Sequence, residues 1–143
     1  MKYTSIEQSN KLLELGLNPE SADMCYVIDY AESNKWGKDK YNLQIDTYGL
    51  MVQQRDNIPC WSMEVLLDML PKTIIVKGYT ISLFICGEYF PVDSDFKYYI
   101  QYLRVDGVEK GDVEFETTLC DTLFDAVYSM EIMLLKQQSQ KQL

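Results

Sequence analysis

Hydrophobic residues along this chain recur in two rhythms, one returning every three or four positions and one alternating, separated by polar stretches that carry glycine or proline. Ile6, Leu12, Leu13, Leu15 and Leu17 make an apolar stripe preceded by Thr4 and Glu7 at capping-box spacing and closed by Gly16. This predicts a helix over about 5–15. Asn18-Pro19-Glu20 has the order of a cap followed by proline at the first helical position, so a short helical turn follows. MCYVIDY, 24–30, is β-branched and aromatic and reads as a strand; AESNKWGKDK, 31–40, as a loop; YNLQIDTYGLMV, 41–52, as a second strand; and QQRDN, 53–57, as a loop.

Ser62 suits a helix cap and Pro71 a stop, which predicts a helix over 62–70. KTIIVKGYTISLFICG, 72–87, divides at Lys77-Gly78 into two strands. DFKYYIQYLRV, 95–105, is a further strand, 106–112 a hairpin-like loop, and DVEFETT, 112–118, alternates with Val113 and Phe115 on one face and Glu114 and Glu116 on the other. Thr118 or Asp121 caps a last helix whose stripe runs through Leu123, Phe124, Val127, Tyr128, Leu134 and Leu135, and the polar tail 137–143 is expected to fray. The expected architecture is a single α+β domain over 1–143, an antiparallel sheet of about five to six strands with three helices mainly on one face.

Composition narrows the functions open to such a domain. Its 143 residues are 47% hydrophobic and 24% charged, as in ordinary globular chains. A net charge of −9 argues against direct nucleic-acid binding and against anionic membranes. No apolar run has the length of a membrane helix, and the polar start lacks the apolar stretch of a secretory signal, so a cytoplasmic location is expected. Cys25, Cys60, Cys86 and Cys120 are scattered, without a CxxC pair, as buried cysteines of a reducing compartment are. There is no histidine. Cys–His and Ser–His–Asp catalysis and imidazole zinc sites are therefore excluded, while carboxylate, lysine, tyrosine or metal chemistry stays open. The glycine-rich phosphate-binding and hydrolase motifs are absent too, and no cofactor is expected.

Three stretches hold candidate residues. Cys60-Trp61-Ser62 lies just before a helix start, where a thiolate could be stabilised. Without a histidine partner the expected role is structural, with Trp61 anchoring the junction and Ser62 capping. Residues 106–131 hold eight acids against Lys110, with Asp112, Glu114 and Glu116 clustered; they suit a hard cation or, better, a basic partner surface, and they lack the glycine and ligand spacing of an EF-hand loop. Tyrosines, 11 in all, concentrate at Tyr98, Tyr99 and Tyr102. Tyr98 and Tyr102 share one face of their strand and are candidate contact residues, in a homodimer or with another protein.

SIEQSNKLLELGLNPESADM at 5–24, PCWSMEVLLDMLP at 59–71 and DTLFDAVYSMEIMLLKQ at 121–137 together resemble a family of small proteins encoded by gut bacteria and by their phages and mobile elements. The resemblance implies an accessory gene product and brings no catalytic residues with it. DTLFDAVYSMEIMLL after a strand meander is also similar to the strand-to-helix passage of HicB-type antitoxins, without the DNA-binding segment those carry. The expected function is therefore non-enzymatic binding of another protein through an acidic, tyrosine-bearing surface. The alternatives are a carboxylate- or metal-dependent enzyme on a small molecule or nucleotide, an antitoxin-like partner protein, and a stabilising subunit of a larger assembly.

Overall fold

The computed structural model describes residues 2–45 and 56–141, which form four helices and two antiparallel sheets. The α+β class is as expected, but the strands divide between a three-stranded and a four-stranded sheet where one larger sheet was expected, and a fourth helix is present. Two compact units result, Met1–Leu66 with Leu135–Leu143, and Leu67–Leu134. Among the described residues no helix is long and apolar enough to cross a membrane.

In the first unit, helix α1 covers Ile6–Glu14 and is capped by Ser5, whose hydroxyl accepts from the Gln8 N–H while the Gln8 side chain accepts from the Ser5 N–H. The capping box is thus one residue later than Thr4/Glu7, because the Thr4 hydroxyl is buried and engaged elsewhere. It meets the Ser9 hydroxyl at 2.7 Å and accepts from the Trp61 N–H at 3.0 Å. Asn18 caps a single 3-10 turn at Pro19–Ser21, as expected.

Strand β1, Met24–Ile28, pairs with β2, Tyr41–Ile45, and with β3, Ile58–Cys60. Pro59 lies in β3, at an edge of this sheet, where a missing N–H is tolerated. The remainder of the expected second strand, 46–52, and most of the loop after it lie outside the described residues. The expected loop at 31–40 contains a helix instead, α2 at Tyr30–Trp36. Asp29 accepts from the Glu32 N–H at its start, Gly37 takes the left-handed conformation at its end (φ +68°), and the Trp36 indole N–H donates to Glu32 one turn back. These local signals outweigh the polar composition.

Helix α3, Met63–Met69, begins after Ser62, whose hydroxyl accepts from the Val65 N–H as a cap does. In the second unit β4, Thr73–Val76, β5, Tyr79–Phe90, β6, Asp95–Arg104, and β7, Val113–Glu116, form a meander in sequence order. Lys77 (φ +51°) and Gly78 (φ +84°) make the two-residue turn predicted between β4 and β5, its double left-handed geometry matching strand twist. Helix α4 covers Leu123–Lys141. Thr122, rather than Thr118 or Asp121, accepts from the Asp125 N–H at its start, and residues expected to fray are helical as far as 141. Phe124, Val127, Met130 and Leu135 are its buried stripe.

Candidate functional site

The junction before α3 is a structural knot. Cys60, Trp61 and Ser62 are all buried. Tyr26 donates its hydroxyl proton to the Thr4 carbonyl at 2.6 Å, the Trp61 indole donates to Ser21 at 3.0 Å, and Asp23 accepts from both the N–H and the hydroxyl of Ser62 at 2.9 and 2.6 Å. Burial pushes the Cys60 thiol up, away from the acidity a nucleophile needs. The three side chains are packed and hydrogen-bonded at a helix start.

The acidic stretch does not form one surface. Asp106 accepts from the Thr80 N–H at 3.2 Å, Glu109 binds the Arg104 guanidinium at 2.9 Å, Asp121 pairs with Lys97, and Glu131 is buried. Asp112 is exposed in the loop before β7, and its backbone carbonyl accepts from the Arg104 N–H. Glu114 and Glu116 were expected on one face, and they are not. Phe115 stands opposite Tyr102 but Val113 opposite Leu103, so Glu114 is the extra residue of a β-bulge. The bulge sends Glu114 to accept from the Tyr79 hydroxyl at 2.7 Å, on the face where Arg104 stacks 3.7 Å over the Tyr79 ring. Glu116 accepts from Gln101 at 2.6 Å on the opposite face.

The tyrosines divide likewise. Tyr102 is 0% exposed, its hydroxyl donates to the Pro71 carbonyl at 2.7 Å, and burial pushes it up to about 12. It is core and not a contact residue. Tyr98 is half-buried, with Phe96 at 5.1 Å between ring centroids and a backbone bridge to Cys120. The residue that reaches a recess is Tyr99.

That recess is an open hollow of about 340 Å³ on the Glu116 face, lined by Glu88, Tyr99, Glu116, Thr117, Thr118 and Leu119. Cys86 faces Tyr99 across the strands and Gln101 faces Glu116, so Glu88 and Glu116 flank Tyr99 on its two diagonals. Tyr99 is pushed up from its ordinary acidity by Cys86 first, then by partial burial, and by the negative charges of Glu88 and Glu116. Lys97, on the same face, is held charged by Asp121 and Asp95. Two carboxylates beside an aromatic ring suit a cationic side chain, an arginine or a lysine. Sequence reading named Glu116 and noted Tyr99 in the tyrosine run, but it singled out Tyr98 and Tyr102 as contact residues and did not consider Glu88. The hairpin register, in which Glu88 faces Lys97, was the signal that could have linked them.

A second open hollow, about 430 Å³, lies in the first unit among Tyr30, Asn34, Asp39, Tyr41 and Asp56. Tyr30 donates to Asp56 there, and Tyr41 is pushed up by burial and then by Asp39 and Asp56. Among the described residues no group of three or more cysteine, aspartate or glutamate side chains is gathered to hold a metal ion. Comparison with family models, with curated proteins and with solved structures gives no match.

Proposed function

We propose that this chain is a cytoplasmic accessory protein, of phage or mobile-element type, that works by binding another protein carrying a basic segment. The observation that carries the reading is the hollow in which Glu88 and Glu116 flank Tyr99. One arginine or lysine side chain of the partner enters it, its charge facing both carboxylates and its stem lying along the tyrosine ring. The accessory setting rests on the sequence resemblance alone. Charges at such an open rim set partner choice and association rate more than raw affinity, so the binding is salt-dependent and of moderate strength.

An arginine-rich peptide, followed by fluorescence anisotropy, is the first probe, alongside capture of partners from a host lysate at low and moderate salt. The Glu88→Gln/Glu116→Gln variant is expected to bind the peptide about tenfold more weakly, roughly 1 kcal/mol or slightly more from two exposed charges. Undiminished binding by a folded double variant would remove the hollow from the proposal.

A further inference from the structure

Strand β5 is much longer than the neighbour on its outer side. Of its twelve residues the ten from Ile81 to Phe90 pair with β6 without a register shift, but β4 covers only Tyr79–Ser82, and the last bond on that side runs from the Leu83 N–H to the Lys72 carbonyl. From Phe84 to Phe90, β5 has a strand partner on one side only among the described residues.

The direction of the free groups follows from the ladder. On β6 the N–H groups of Tyr98 and Arg104 turn away from β5, toward the carbonyls of Cys120 and Asp112, and the Ile100 carbonyl likewise takes the Thr117 N–H. Their counterparts on β5 turn away too. The N–H and C=O groups of Ile85, Gly87 and Tyr89 therefore point out of the open edge. Ile85, Gly87 and Tyr89 are exposed, Ile85 at 48% and Tyr89 at 56%, with Phe84 beside them at 43%.

Soluble proteins protect such an edge with lysine, proline, a bulge or a covering element. Among the described residues this stretch has none of these, and Glu88 is its one charge. In the order Phe84-Ile85-Cys86-Gly87-Glu88-Tyr89-Phe90 two of the three pairs about Gly87 match in character, Phe84 with Phe90 and the large apolar Ile85 with Tyr89, while Cys86 and Glu88 differ. The Phe96 ring lies over Gly87, where an added Cβ would come within 2.3 Å of it. The centre of the edge is thus kept as glycine and shielded on one face by an aromatic ring.

We propose that two copies of the chain join edge to edge along β5, antiparallel, with the two-fold axis at Gly87. Gly87 pairs with the partner's Gly87, and Ile85 with the partner's Tyr89, each pair exchanging both N–H···O bonds. On one face isoleucine meets tyrosine; on the other Phe84 meets the partner's Phe90, while each Glu88 faces the partner's Cys86 and the two carboxylates stay on separate rungs. A strand from an unrelated protein would need this pattern by coincidence, whereas a second copy has it by symmetry. The pairing turns two four-stranded sheets into one continuous sheet; Glu88 is the one residue it shares with the acidic hollow, and because the Glu88 backbone faces β6 and takes no part in the new ladder, the pairing is tested apart from the proposed basic partner.

Light scattering across a concentration series, at about 0.05 M and about 0.5 M salt, tests the assembly. The expected result is a mass moving from 16.7 kDa toward twice that value, with the amides of Ile85, Gly87 and Tyr89 gaining hydrogen-exchange protection as the mass rises. Amides of Phe84, Cys86 and Glu88, which face β6, are expected not to change. Ile85→Lys/Tyr89→Lys is expected to weaken the dimer at least about tenfold, and Tyr89→Pro, which removes a donor that β6 does not use, provides a second route to the same loss. A monomer at every concentration, a dimer that persists in both folded variants, or protection arising on another strand would overturn the proposal. Unchanged arginine-peptide binding by the charge-neutral Tyr89→Pro variant would separate this outcome from any failure of the hollow.

Discussion

Glu131 is 6% exposed, and its Oε2 is shut away from water with no hydrogen-bond partner among the described residues. Burial pushes it up to about 7, from an ordinary value of 4.5. Between these two values the folded chain holds a proton that the unfolded chain has released, so stability falls as pH rises through that window and is level above it. The full difference corresponds to a cost on the order of 3 kcal/mol. Glu131→Gln is expected to flatten that slope and to stabilise the protein by roughly 1–3 kcal/mol at about pH 8, read from urea unfolding there and near pH 5. Thr4 presents the opposite case, a buried hydroxyl with its partners in place. Thr4→Val keeps the shape but strands the Trp61 N–H and the Ser9 hydroxyl, and is expected to cost about 2–3 kcal/mol by the same measurement. Sequence spacing assigned Thr4 to a helix cap. Its burial against Trp61, 57 residues away, decided otherwise.

At the scale of elements, the β7 bulge decides which acids can act together. Glu114 is tied to Tyr79 beside Arg104, and Glu116, bonded to Gln101, stands on the other face with Glu88 and Tyr99. Glu116→Gln is accordingly expected to weaken arginine-peptide binding severalfold, while Glu114→Gln leaves it unchanged, both read by anisotropy at one salt concentration. Alternation in DVEFETT is plain to read, and it fails because one extra residue reverses every side chain beyond it. The Lys77-Gly78 hairpin and the Ser62 start were legible because their signals are local, a paired left-handed turn and a capping hydroxyl. Helix α2 was missed although its signals, Asp29, Glu32 and Gly37, are equally local; polar composition hid them.

For the whole molecule, a net charge of −9 sets opposite salt responses for the two proposed interactions. Screening removes repulsion between two like-charged copies and also removes attraction for a basic peptide. The dimer is therefore expected to tighten, and peptide binding to loosen, over the same salt series.

The sequence by itself determined the α+β class, most strands of the second unit, the acidic balance, and the exclusion of histidine chemistry, because these follow from composition and from spacings within a few residues. Tertiary structure alone decided that the strands divide into two sheets, that Tyr102 is core, and that Glu88 joins Glu116 around Tyr99. It also decided that β5 outruns β4 and leaves an edge open. Each of these depends on pairing register and on which residues share a face, quantities fixed by contacts between segments far apart in the chain.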